Sequence, residues 1–132
     1  MPFTFINPES SGKPSGYSNG VLAEEGGRML FIAGQVAWNE YQEIVSDDFV
    51  LQFDQALTNV ITIVNGAGGT AQQIARLVIY VTSMQEYKER TREIGERYRF
   101  RMGRHFPAMV LVEVNGLLDD KAKVEIEGVA VL

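Results

Sequence analysis

From Asp47 onward, apolar side chains at Phe49, Phe53, Ala56, Leu57, Val60, Ile61 and Val64 recur at steps of three and four. That spacing predicts a helix with one apolar face over about four turns. Asp47 or Asp48 can cap its first amides, and Gly66, Gly68 and Gly69 supply the permissive conformations that end it. The pattern then changes. Within Ala75–Thr82 the run Leu77-Val78-Ile79-Tyr80-Val81 is almost unbroken, which predicts a strand covered on both faces. A helix crossing over between this strand and the one before it predicts parallel pairing. Ser83 and Glu86 have the spacing of a capping box and open a second helix. Its stripe is Met84, Tyr87, Thr91, Ile94 and Tyr98, with Gly103 as terminator.

Ahead of the first helix, the short apolar stretch Tyr17–Ala23 is followed by Glu24-Glu25-Gly26-Gly27, a turn, and then by the β-prone stretch Arg28–Trp38. This predicts a hairpin. Gly34 within it admits a ligand or another backbone at close range, or marks a bulge. After the second helix come a strand at Met109–Val114, a reversal over residues 115–120, and a last strand at Lys123–Leu132. In that strand Glu125 and Glu127 alternate with Val124 and Ile126. The expected architecture is α/β (α+β), a six-stranded mixed sheet with two helices on one face. The other face has no helices left to cover it although most strands are apolar on both sides, which predicts burial against another subunit.

The 132 residues fit one domain spanning residues 1–132. With no cysteine, disulfides and thiolate chemistry are excluded, and a single histidine, His105, excludes a multi-histidine metal site within one chain. A net charge of −5 argues against nonspecific attraction to nucleic acid. No run of about 20 apolar residues offers a membrane span. Met1-Pro2-Phe3-Thr4-Phe5 is no basic-then-apolar leader. The expectation is a soluble, cytoplasmic protein.

Several segments, in order and across nearly the whole chain, resemble the RidA, or YjgF/YER057c/L-PSP, family. They are Ile6-Asn7-Pro8, Ser15-Gly16-Tyr17-Ser18, Phe31-Ile32-Ala33-Gly34-Gln35, Gln55-Ala56-Leu57-Thr58-Asn59-Val60, Tyr80-Val81-Thr82-Ser83-Met84, Phe106-Pro107-Ala108, Leu111-Val112-Glu113-Val114 and Val124-Glu125-Ile126-Glu127. The resemblance implies a chorismate-mutase-like fold assembled as a homotrimer, with ligand clefts between subunits. It implies hydrolysis of reactive enamines and imines, such as 2-aminoacrylate, to a 2-oxo acid and ammonia without a cofactor. It also gives Tyr17 a place in the cleft, Glu125 the attacking water, and Ala33 and Gly34 places in the substrate-binding wall.

The chain departs from the family at Met109, where a Pro-Ala-Arg motif would place the arginine that grips the substrate carboxylate. A bidentate guanidinium gives two charge-assisted hydrogen bonds of roughly 1.5 to 3 kcal/mol each, and a thioether gives neither. Leu111, on the same strand, is apolar too. The implied reading is an imine hydrolase of altered substrate range, whose ligand is uncharged or more apolar or whose deaminase activity is weak. A noncatalytic small-molecule binding or interaction protein of the same trimeric fold is the alternative. Periodicity alone makes Glu125 an exposed sheet residue, Glu127 its structural neighbour or a coupled carboxylate, Tyr17 a packed aromatic, and Trp38 and Phe106 core or cleft wall. Between Lys88 and Arg104 stand seven basic residues against three acidic ones. This run, which includes Arg97, Arg99, Arg101 and Arg104, either binds RNA phosphates, as in relatives described as ribonucleases, or is a solvated helix face with pairs such as Glu93 to Arg97. No stacking platform accompanies it. Arg104 or His105 could also supply the positive charge that Met109 lacks.

Overall fold

The computed structural model describes residues 3–24 and 27–132. Glu25 and Gly26, the centre of the expected turn, and Met1-Pro2 lie outside the described residues. In chain order the elements are β1 (Phe3–Ile6), β2 (Gly20–Ala23), β3 (Met29–Gln35), α1 (Phe49–Gly66), β4 (Ile74–Val81), α2 (Met84–Glu89), α3 (Thr91–Met102), β5 (Ala108–Glu113) and β6 (Val124–Val131). The α+β fold with a mixed sheet is as expected. The strands, however, divide into a four-stranded sheet of order β3-β6-β4-β5 and a separate ribbon of β1 and β2. The predicted pairing of β2 with β3 is not made. β2 runs antiparallel to β1, Phe3 opposite Ala23 and Ile6 opposite Gly20. β3 instead takes β6, setting Met29, Leu30 and Phe31 against Val131, Ala130 and Val129. The longer apolar register outweighs the local turn signal, because it carries Ile32 into the core. One bridge, Ser18 to Ala108, joins the ribbon's leading segment to the edge strand β5.

β3 and β4 point the same way, as the α1 crossover predicts, yet they are not neighbours. β6 lies between them, antiparallel to both, while β4 and β5 form the parallel pair. β6 is buried at alternate positions, Val124, Ile126, Gly128 and Ala130, which face the helices. α1 packs on β3 and β6, and α3 packs on α1. Phe49, Phe53, Leu57, Val60 and Val64 of α1 are buried against Leu77, Ile79, Val81 and Ile126 of the sheet. Each such side chain stabilises the fold by roughly 1.5 to 3 kcal/mol. Asp48 caps α1 by accepting from the Leu51 amide at 3.0 Å. Gly68, at φ 90°, and Gly69 close its end, their amides reaching the carbonyls of Asn65 and Val64.

The predicted second helix is broken in two at Arg90, which lies at φ −122° and ψ 20°. Its stripe is continuous, so the break leaves no mark in hydrophobic period. It coincides with Arg90 turning to Asp48 at 3.1 Å and Glu93 at 2.7 Å. Only half of the expected capping box forms. The Ser83 hydroxyl accepts from the Glu86 amide at 3.1 Å, whereas the Glu86 carboxylate faces Lys123 at 3.9 Å. A complete box stands instead at Thr70 and Gln73, ahead of β4. On the helix-free face of the sheet, Phe31 is 73% and Met29 59% exposed on β3, and Val110 and Val112 are exposed on β5 at the opposite edge. These apolar side chains stand uncovered, as expected, on a face that also carries Glu125 and Glu127. Among the described residues, no helix is long and apolar enough to cross a membrane.

Candidate functional site

Tyr17, Met109 and Leu111 come together where the loop before β2 meets β5. The Ser18 amide donates to Pro107 O at 3.1 Å and its hydroxyl to Phe106 O at 2.6 Å. These bonds stitch the glycine-flanked loop to the start of β5 and bring Tyr17 beside Met109 and Leu111 in a shallow depression. Met109 and Leu111 sit on the helix side of the sheet, packed against the core. The depression runs into a more enclosed cavity of about 140 Å³ between β5 and the helices α2 and α3, where Gly16, Tyr87, Thr91, Gly95, Arg99 and Met109 form much of the wall. Burial holds the Tyr87 phenol above its ordinary pKa, so it stays protonated and able to donate.

Ala33, Gly34 and Glu125 form a second group on the opposite face of the sheet. On β6 one residue separates Gly128 from Ile126, but on β3 two residues, Ala33 and Gly34, separate their partners Ile32 and Gln35. Ala33 and Gly34 are therefore a β-bulge, and both are exposed. The chain leaving the bulge is fastened by Asn59 of α1, whose amide donates to Val36 O at 2.9 Å and Trp38 O at 3.0 Å. The Glu125 carboxylate lies directly over Gly34.

The two glutamates of β6 differ. Tyr80 of β4 donates to Glu127 at 2.5 Å, and that bond, with burial and the charges of Glu127 and Glu125, raises the tyrosine's pKa. Glu127 is thus a structural partner of Tyr80. Glu125 makes no hydrogen bond or ion pair among the described residues and keeps both oxygens free to accept.

Within one chain the six expected site residues fall into these two groups, three on each face of the sheet. The chain alone does not join them. Phe106 is both core and cavity wall, stacked on Tyr98 with ring centres 5.5 Å apart. Trp38 is half-buried, its indole N–H donating to Asp119 at 3.1 Å.

The basic run is organised differently from expectation. Glu93 pairs with Arg90, not Arg97. Arg97 and Arg101 both turn to Asp54 of α1, Arg101 through two hydrogen bonds of 2.9 Å. His105 is buried, its Nε2 2.6 Å from Ile74 O and its ring stacked on Phe3, and it does not line the cavity. Arg104 is exposed and lies off the cavity wall. The cation that does reach the cavity is Arg99, a member of the basic run that no motif in the sequence marks out. Its signal was Gly95, one helical turn earlier, which leaves room for a guanidinium to lie back along α3. Among the described residues, no group of three or more His, Cys, Asp or Glu side chains could hold a metal ion.

The chain matches the family model Endoribonuclease L-PSP over residues 11–132. A RutC family protein from Pyrococcus horikoshii is 34% identical over 127 residues, covering 95% of this chain and 94% of that one. A 2-iminobutanoate/2-iminopropanoate deaminase from Escherichia coli is 32% identical over 108 residues, 80% of either chain. Among solved structures, a Rid family protein from Yersinia pestis is 34% identical and superposes with a TM-score of 0.87 over 100% of both chains.

Proposed function

The chain belongs to the RidA/YjgF/L-PSP family, and from that premise we propose that it hydrolyses small enamines or imines in clefts between the subunits of a homotrimer. The observation that carries this reading is the free carboxylate of Glu125 over the bare backbone of Gly34, with no partner among the described residues competing for it. The other group, Tyr17, Met109 and Leu111, lies across the sheet. A neighbouring copy packed on the exposed apolar face around Phe31 supplies the missing half of each cleft.

In the cleft Glu125 holds a water molecule. As the water oxygen bonds to the carbon of the protonated C=N group, the carboxylate takes one of the water protons and the nitrogen becomes an amine. The carboxylate passes that proton to the amine, and as the C–N bond breaks it takes the proton of the new hydroxyl, so that a carbonyl compound and ammonia leave. Tyr17 closes the pocket and offers a hydroxyl to the substrate. Met109 gives the pocket a thioether where relatives of this type grip a carboxylate, so β5 itself offers a charged substrate no hold.

Ammonia release from a panel of charged and uncharged imines tests the proposal in the full chain. Turnover that falls about a hundredfold in Glu125→Gln supports it. Saturable binding without turnover identifies a noncatalytic binding protein instead.

A further inference from the structure

Among the described residues, Arg99 is the one arginine that reaches the cavity beside Met109. Its neighbours on the helices are committed: Arg90 to Asp48 and Glu93, Arg92 to Glu96, Arg97 and Arg101 to Asp54. Among the described residues Arg99 has neither a carboxylate partner nor a hydrogen bond. Its position is held by a vacancy in the helix. Glycine is a poor choice inside a helix, yet Gly95 stands in the interior of α3. A Cβ there would lie 3.0 Å from Arg99 Nη1 and 3.8 Å from Cζ and Nη2. The guanidinium therefore rests on the surface that a side chain at position 95 would occupy.

The cavity it borders has an apolar floor at Met109 and hydroxyls at Tyr87 and Thr91. Its volume, about 140 Å³, is near that of an apolar cavity that accepts benzene, a molecule of about six non-hydrogen atoms. A guanidinium without a counter-ion at a pocket of this size is suited to a small monocarboxylate.

We infer that Arg99, seated on Gly95, binds the carboxylate of a short 2-imino or 2-oxo acid in this cavity, gripping it from α3 rather than from β5. The inference rests on reading the cavity as part of the hydrolase cleft. It changes where the anion is held, and it counters the sequence-based expectation of an uncharged ligand.

The test is the affinity of the full chain for 2-oxobutanoate and for its neutral amide, followed by NMR titration of wild type, Arg99→Gln and Arg99→Lys. Arg99→Gln is expected to weaken the carboxylate about thirtyfold and leave the amide unchanged, with Arg99→Lys in between. Thermal melting confirms that the variants are folded. Unchanged carboxylate affinity in Arg99→Gln, an equal loss for both ligands, or no carboxylate binding by wild type overturns the inference. Ammonia release measured alongside separates the two claims. Wild type that binds the carboxylate through Arg99 but turns over no imine sinks the hydrolase and keeps the anion site. Turnover of charged imines that ignores Arg99→Gln sinks the anion site and keeps the hydrolase.

Discussion

The carboxylate of Glu125 fills the space that a side chain at position 34 would need: a Cβ on Gly34 would stand 2.8 Å from Glu125 Cδ and closer still to Oε2. The glycine is required by what lies above it, since its backbone is not in the left-handed region. Gly34→Ala therefore acts on the carboxylate and spares the fold, because the end of the Glu125 side chain can swing aside. The expected result is a melting temperature within about 2 °C of wild type and turnover lowered on the order of tenfold or more. A large loss of stability with turnover intact would show that the pairing serves the bulge and not the chemistry.

Gln52 shows a contact that no periodic reading finds. It sits on α1 at 0% exposure, amid the apolar residues that predict the helix. Its amide donates to Ser46 O at 2.8 Å and Lys121 O at 2.9 Å, and its oxygen accepts from the Lys123 amide at 2.8 Å. One side chain thus satisfies three backbone groups and pins the approach to β6. Gln52→Leu keeps the volume and leaves those groups buried without partners, at about 1 to 3 kcal/mol each where water cannot reach. Urea unfolding is expected to show a loss of about 2 to 5 kcal/mol.

The same residue explains what the sequence could and could not disclose. The α1 stripe, the Asp48 cap and the alternation that turns Glu125 and Glu127 away from the core were legible, because each depends on neighbours a few positions away. Gln52 and Lys123, the insertion of β6 between β3 and β4, and the loss of the β2–β3 hairpin depend on partners far along the chain. The break at Arg90 also escaped, since a charged side chain reaching back to Asp48 alters no apolar period. At the site, Met109 was legible by its place after Phe106-Pro107-Ala108. Arg99 was not, because its meaning comes from the missing side chain at Gly95 and from a cavity wall supplied by β5.

Asp48 sets a pH dependence. The backbone hydrogen bond from Leu51, aided by Arg90, holds its carboxyl below the ordinary carboxylate range. A folded-state pKa below the unfolded one stabilises the fold fully above the unfolded value, and the contribution is lost as pH falls through the folded value. Asp119, lowered first by its bond from the Lys121 amide and then by Trp38, acts in the same direction. Asp48→Asn keeps a capping oxygen and removes the charge. Urea unfolding between about pH 5 and pH 2 is expected to show a shallower fall in stability for Asp48→Asn than for wild type. Equal slopes would mean that the charge of Asp48 contributes nothing to folding.

Met109→Arg tests whether the cavity already holds its cation. The thioether borders the same space of about 140 Å³ as Arg99, so the substitution crowds two guanidiniums together. Two like charges a few ångströms apart repel by roughly 1 to 4 kcal/mol, depending on how much water stays between them. Restoring the arginine on β5 alone is therefore expected to leave turnover of charged imines level or lower. Combining it with Arg99→Gln moves the single cation from the helix to the strand and removes the repulsion. That double variant is expected to exceed either single variant on charged imines, by about tenfold, with little change on uncharged ones. If Met109→Arg by itself raises charged-imine turnover about tenfold or more, the wild-type cavity lacked a working anion site and Arg99 does not fill the role.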